Sequence, residues 1–290
     1  MNLWQQYLSP RSIPEAIQAL RSAPGATSPI AGGTDLLLDL QQGRHSPVHT
    51  LIDVTTIPEL NALEVRQGGL FIGAAVSLNR IARHPLVAQH AQALVEACDL
   101  VGGPQVRNVA TLGGNVAHAL PAADGTIALL ALDAQAQIAD ASGLRSLPLI
   151  DLFLGPGKSA LKHGEELLIG FTLPLLKAHE ASSFKRFMRP QGVALPIINL
   201  ATRLARQAES IANIRIAVGP GAAIPWRAQD AEQALTGIPF DQVSIAAGLD
   251  ALLAHVGFRS SPRRASADYR RHLVGTLFRD TLLTAWERAA

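Results

Sequence analysis

Two widely separated glycine pairs, Gly32-Gly33 and Gly113-Gly114, constrain this chain more than any other feature. The first pair sits in Ser28-Pro29-Ile30-Ala31-Gly32-Gly33-Thr34-Asp35, just ahead of the apolar run Leu36-Leu37-Leu38-Asp39-Leu40. A short apolar strand, two glycines and a helix start, in that order, predict free backbone N–H groups at the positive end of a helix dipole. The second pair closes Gly102-Gly103-Pro104-Gln105-Val106-Arg107-Asn108-Val109-Ala110-Thr111-Leu112-Gly113-Gly114-Asn115, with Asp124-Gly125 beyond it. This stretch holds neither a helical nor a strand period, so mostly irregular backbone is expected, of the kind a compact domain keeps for binding. Gly113 and Gly114 are expected to let the main chain approach a ligand closely and aim consecutive N–H groups at phosphate oxygens. A single Gly-Gly turn is usually only a turn. Two in one domain, each flanked by apolar strand, point to a cofactor carrying a pyrophosphate.

The dinucleotide-binding fold with spaced glycines fits less well. Its fingerprint needs a third glycine to seat the helix on the strand, and this chain reads Gly32-Gly33-Thr34-Asp35-Leu36-Leu37 instead. Asp53, at the end of Leu51-Ile52-Asp53-Val54, does lie at a suitable distance downstream.

At 290 residues the chain has room for two or three packed units. No apolar run approaches a bilayer span, and Met1-Asn2-Leu3-Trp4-Gln5 lacks a basic start followed by an apolar stretch, so a cytoplasmic location is expected. Cys98 is the only cysteine, which excludes an internal disulfide and a several-cysteine cluster or zinc site. It reads as a small buried hydrophobe. The nine histidines form no close pair with a carboxylate on one helical face, so no metal is expected in this chain. Residues 1–175 carry 10 Lys and Arg against 14 Asp and Glu, whereas residues 176–290 carry 15 against 9. That shift marks a boundary. Stacking aromatics are missing from the basic part and acids are interspersed, which argues against nucleic acid and for a solvated face or a dock for an acidic partner.

In order, Ser12-Ile13-Pro14-Glu15 reads as a capping box opening a helix with Ile13, Ala16, Ile17 and Leu20 on one face, ended by Pro24-Gly25. A strand into the first glycine turn, a helix to Gln42-Gly43 and a strand from His49 to Val54 complete a first unit, residues 1–56. The second, 57–176, is expected to contain a strand at Leu70–Ala74, a helix capped by Ser77 and one long helix from Val87 to Leu100. After the glycine-rich stretch come a helix at Ile127–Leu132, a strand at Ala134–Ile138 turned by Asp140–Gly143, and a strand from Glu165 to Leu173 stopped by Pro174. The third, 177–290, alternates at Ser183–Phe187, Ile198–Ala205 and Ile211–Val218, which predicts an antiparallel sheet. Helices at Ala228–Leu235, Asp241–Leu253 and Asp268–Ala289 follow, giving an α+β layer.

With these residues in view, the chain resembles the FAD-binding medium subunits of the molybdenum hydroxylases, the xanthine dehydrogenase and carbon monoxide dehydrogenase family. The resemblance rests on Ala31-Gly32-Gly33-Thr34-Asp35, Gly103-Pro104-Gln105-Val106-Arg107-Asn108, Thr111-Leu112-Gly113-Gly114-Asn115, Asp124, Gly155-Pro156-Gly157-Lys158, Glu166-Leu167-Leu168 and Arg264-Ala265-Ser266-Ala267-Asp268-Tyr269-Arg270-Arg271, in order and nearly end to end. It implies an α+β fold: a two-part FAD-binding domain of the vanillyl-alcohol-oxidase type, then a smaller antiparallel-sheet-plus-helices domain. It also implies that Ile30, Ala31, Gly32, Gly33, Thr34, Asp35 and Leu36 wrap the pyrophosphate and that Val101 packs on the adenine side. Thr111, Gly113, Gly114 and Asn115 would hold phosphate and ribityl groups, and Asp124 ribityl hydroxyls. Leu168 and Lys185 would flank the isoalloxazine ring, Lys185 tuning it. A cysteine-bearing insertion for an extra iron–sulfur cluster, present in some relatives, is missing.

The reaction so implied is electron relay. A large molybdopterin-binding subunit would oxidise the substrate at its molybdenum cofactor, and the [2Fe-2S] clusters of a small subunit would pass electrons to FAD in this chain. The likeness to xanthine dehydrogenase favours NAD as acceptor over oxygen or a quinone, and implies a dimer of heterotrimers. The rival reading is a stand-alone FAD-dependent oxidase or dehydrogenase of the vanillyl-alcohol-oxidase type. It needs a base or nucleophile beside the flavin, and no His, Tyr or Glu cluster presents itself. A subunit that has lost its flavin would not keep both glycine turns. Bland alternatives stand beside the roles: Lys185 as an exposed strand residue, Asp124 as a helix N-cap, His118 as a solvated loop histidine, and Arg263, Arg264, Arg270 and Arg271 as open surface and not a partner contact.

Overall fold

The structure is a computed structural model and describes residues 3–189, 195–262 and 264–290. Its first sheet is parallel, with β1 (Gln6–Leu8), β2 (Thr27–Ile30) and β3 (Thr50–Asp53) in the order β1-β3-β2. Helices α1 (Ile13–Ser22) and α2 (Leu36–Gln41) connect the strands. Ser12 caps α1 by accepting from the Glu15 N–H at 3.4 Å, and Ala16, Ile17 and Leu20 are buried. The return half of the capping box is displaced by one residue, since the Glu15 carboxylate takes the N–H of Arg11 at 2.8 Å.

The second sheet is antiparallel, in the order β4-β5-β10-β6-β7, formed by β4 (Leu63–Arg66), β5 (Gly69–Gly73), β6 (Gln135–Asp140), β7 (Gly143–Pro148) and β10 (Leu167–Pro174). The small ribbon β8 (Phe153–Gly155) and β9 (Lys158–Ser159) lies between β7 and β10 in the chain. Between β5 and β6 run six short helices, α3 (Leu78–Ala82), α4 (Pro85–His90), α5 (Gln92–Leu100), α6 (Pro104–Val109), α7 (Leu112–Ala117) and α8 (Asp124–Ala131). Two expectations are corrected here. The helix foreseen from Val87 to Leu100 is broken at Ala91, whose φ of −149° is not helical. The glycine-rich stretch is not mostly irregular: it forms α6, with Pro104 in its first turn, and α7, capped by Thr111. Strands β4 and β7 were not foreseen. Gln67 and Gly68, both at positive φ, close the tight hairpin between β4 and β5.

The third sheet runs β11 (Glu180–Met188), β12 (Pro196–Gln207), β13 (Ser210–Gly219) and β14 (Trp226–Arg227), all antiparallel. Helices α9 (Gln229–Leu235), α10 (Gln242–His255) and α11 (Ala267–Arg288) follow. Both faces of this sheet are covered. Phe184, Ala201 and Ala217 join the core of the second unit, while Leu200, Leu204, Ile216 and Val218 pack with Phe278 and Leu282 of α11. Strand alternation therefore assigns successive residues of β11 to different cores. The Ser182 hydroxyl accepts from the Ala93 N–H of α5 at 3.1 Å, whereas Ser183 donates to the Thr281 carbonyl of α11 at 2.7 Å. No helix among the described residues is long and apolar enough to cross a membrane.

Candidate functional site

The two glycine turns meet. A Cβ on Gly32 would fall inside the Val109 carbonyl and close to the Ala110 main chain, so the 31–36 turn lies directly on the junction of α6 and α7. Gly33, at φ +67°, takes the left-handed conformation that turns the chain into α2. Among the described residues, no backbone N–H from Ala31 to Leu36 has a protein acceptor. Six consecutive donors are therefore free at one turn. Further along, Asp39 of α2 lies 3.8 Å from His118 Nε2 at the end of α7, which sets these two helices side by side.

The second turn differs from expectation. Gly113 N donates to the Ala74 carbonyl at 2.9 Å and Gly114 N to Thr111 Oγ1 at 3.2 Å, so neither is left to point at a ligand. What Gly113 supplies is proximity, because a Cβ there would lie 2.6 Å from that of Ala74. Polar capacity on this side comes from side chains. Asn115 Oδ1 is buried without a partner, and Thr111 is buried at the head of α7. The Gly155–Lys158 turn touches the far end of α7, where Gly157 N donates to the Ala119 carbonyl at 3.0 Å.

Across from these turns lies a buried polar cluster shared by two units. Asp124 is the first residue of α8 and Ala123 is the N-cap, so the N-cap reading of Asp124 is replaced. The Asp124 carboxylate pairs with the Arg186 guanidinium of β11, the side chains being 4% and 6% exposed, and accepts from Asn199 Nδ2 of β12 at 2.6 Å. Burial pushes Asp124 up to about 6, with Arg186 and Asn199 pulling the other way. Arg186 also donates to the Leu100 carbonyl at 2.5 Å, yet its Nε and the Asn199 Oδ1 remain buried and unpartnered. Neither Arg186 nor Asn199 was singled out for this cluster from the sequence.

The remaining expected residues divide. Leu168 is buried on β10 beside a register shift, within the second unit's core, and Val101 is half-buried at the end of α5, its carbonyl accepting from Arg107 at 3.3 Å. Lys185 is not brought to this cluster. It faces α11, its ammonium 4.0 Å from Asp280 and its side chain 43% exposed. The alternation of β11 aims Phe184 and Arg186 at the second unit and Lys185 at α11. Arg263 lies outside the described residues. Among the described residues, no three His, Cys, Asp or Glu side chains gather as a metal site.

Free N–H donors at one turn, buried and unpartnered polar atoms on α7 and in the Asp124 cluster, and glycines that leave no room for a side chain mark a candidate nucleotide-cofactor site. Residues 3–176 match the family model for the FAD binding domain in molybdopterin dehydrogenase, and residues 182–285 that for the CO dehydrogenase flavoprotein C-terminal domain. A xanthine dehydrogenase FAD-binding subunit of Escherichia coli O157:H7 is 31% identical over 276 residues, covering 94% of this chain and 93% of that one. The carbon monoxide dehydrogenase medium chain of Hydrogenophaga pseudoflava is 28% identical, covering 98% of both. Carbon monoxide dehydrogenase from the same organism contains a chain that superposes with a TM-score of 0.92 at 28% identity, covering 99% and 98%. A chain of quinoline 2-oxidoreductase from Pseudomonas putida 86 superposes with a TM-score of 0.89 at 29% identity, covering 98% of both. The chain belongs to the FAD-binding medium subunits of the xanthine dehydrogenase and carbon monoxide dehydrogenase family. It is an FAD-carrying oxidoreductase subunit.

Proposed function

We propose that this chain, in the cytoplasm, holds FAD between the 31–36 turn and the Asp124 cluster. It would take electrons from the [2Fe-2S] clusters of a small subunit, themselves fed by a molybdenum cofactor in a large subunit, and deliver them to NAD. The observation that carries this reading is the run of six unpaired N–H groups from Ala31 to Leu36, pressed against the head of α7. Hydrogen bonds to charged oxygens contribute about 1.5–3 kcal/mol each, so these donors suffice to retain a diphosphate without a lysine clamp. Flavin, when bound, supplies the redox chemistry; this chain's residues bind and orient it.

Thr111 and the orphaned Asn115 amide would take phosphate and ribityl oxygens, and Asp124, held by Asn199 and Arg186, would accept from ribityl hydroxyls. Val101 and Leu168 supply apolar contact. For the cation near the ring, the register of β11 supports Arg186 in place of Lys185. We place the unit boundaries at 56 and 176 and the assembly as a dimer of heterotrimers. Purification of the native complex tests the reading. Yellow colour with molybdenum, iron–sulfur partners and NAD reduction is the expected result; yellow colour in a lone chain would favour the stand-alone oxidase, and a complex without flavin would end the proposal.

A further inference from the structure

Among the described residues, ten arginines lie within 4.0 Å of a carboxylate. Ten other described arginines do not, Arg189, Arg259, Arg264 and Arg270 among them, and the residues outside the described set include no acid that could serve these four. These four gather about one place. Arg270, at the head of α11, is 3% exposed; its Nε donates to the Ile197 carbonyl at 2.9 Å and its Nη1 to the Arg259 carbonyl. Arg189, the residue after β11, donates to the Arg264 carbonyl at 2.9 Å. Carbonyls satisfy these N–H groups without cancelling the formal charge. Burial, together with the Arg264 and Arg259 guanidinium groups, pushes Arg270 below the ordinary arginine range, and burial does the same to Arg264. A buried cation flanked by like charges is strained until an anion joins it.

We propose that Arg189, Arg259 and Arg264, backed by the buried Arg270, bind the diphosphate of a nucleotide electron acceptor. This rests on the flavin reading above. Arg189 follows β11, three residues beyond Arg186, ~10 Å at the rise of an extended strand and on the Lys185 face, so a dinucleotide held there would pass round β11, the outer strand of its sheet, to bring its redox ring to the flavin. The arginines surround a buried base and are not strung along an open face, which suits one compact dianion better than an extended acidic segment. Their planar forks match phosphate oxygens in pairs.

The assembled, flavin-loaded complex tests this with two probes: ADP, a redox-silent diphosphate, and NADH. Arg189→Gln, Arg264→Gln and the pair are compared with wild type. The expected result is ADP binding weakened at least tenfold in the double variant and the KM for NADH raised by a similar factor. Flavin content stays constant and kcat changes little. Arg189 is exposed, so its single variant carries the test should Arg264→Gln fail to fold. ADP affinity unchanged by the substitutions overturns the inference while leaving the flavin reading intact. Variants that shed their partner subunits, with no ADP binding in wild type, overturn it in favour of an acidic partner surface. A wild-type flavin that NADH does not reduce removes NAD from the proposed function instead, and ADP binding still decides the cluster.

Discussion

The Arg186 guanidinium and the Asp124 carboxylate form a buried ion pair that ties the first strand of the third unit to the first residue of α8 in the second. Removing one partner strands the other charge out of water. Arg186→Gln is expected to cost about 3 kcal/mol or more in urea unfolding and to lower flavin retention. Lys185→Gln, at an exposed and distant pair, is expected to change stability by less than about 1 kcal/mol. The flavin midpoint potential should follow the same contrast, falling with Arg186→Gln and unmoved by Lys185→Met. A drop caused by the Lys185 variant alone would refute the register assigned to β11.

Asp124 predicts a pH dependence of defined sign. Its value is raised from 3.8 to about 6, so folding favours the protonated acid; the associated stabilisation is full below 3.8 and is lost as pH rises through 6. Flavin-free wild type is therefore expected to lose stability relative to Asp124→Asn between pH 4 and about 6. Parallel stability curves for the two proteins would contradict this. With the proposed role of the carboxylate as an acceptor, flavin retention is expected to run the opposite way; the dissociation constant should rise as pH falls through 6.

Glycine substitutions separate crowding from backbone conformation. Gly32→Ala forces a methyl group into the Val109 carbonyl, and the expected cost is about 1–3 kcal/mol together with loss of flavin. Gly43→Ala has open space around it but sits at φ +66°, so only the conformational penalty of about 1–2 kcal/mol remains and flavin stays bound. Thermal melts and absorption at the flavin band measure both. Equal flavin loss in the two variants would show that turn proximity is not what matters.

Cys98 is fully buried on α5, and burial with the nearby Asp124 and Asp99 pushes its thiol far above the usual range. A thiol-specific reagent should leave the folded protein unmodified at neutral pH and label one group after denaturation. Rapid labelling of the native chain would mean that the α5 layer opens readily.

Much of the fold was legible where one face is buried and the other is not. The α1 stripe Ala16, Ile17 and Leu20 and the alternation in β12 both announced their elements. Elements too short for a period were not: α6 and α7 are six residues each, so Pro104 and Thr111 were their only signals, and these were read as loop chemistry. β7 is exposed along nearly its whole length and offers no apolar alternation to detect. The first turn was read correctly as a place of free N–H groups, but the use of Gly113 N and Gly114 N depends on Ala74 and Thr111, contacts that only the tertiary fold creates. The inward place of Arg186 goes unsignalled in the sequence for a similar reason. With both faces of β11 covered, adjacent cations give no hint of which one points inward.

The double-sided role of β11 restricts how this chain can change over time. Deleting or inserting a single residue within the strand would send every later side chain to the opposite core, burying Lys185 against α8 and exiling Arg186 to α11. Length variation is thus excluded from the strand and left to the connections on either side of it, while the strand itself admits replacement but not shift.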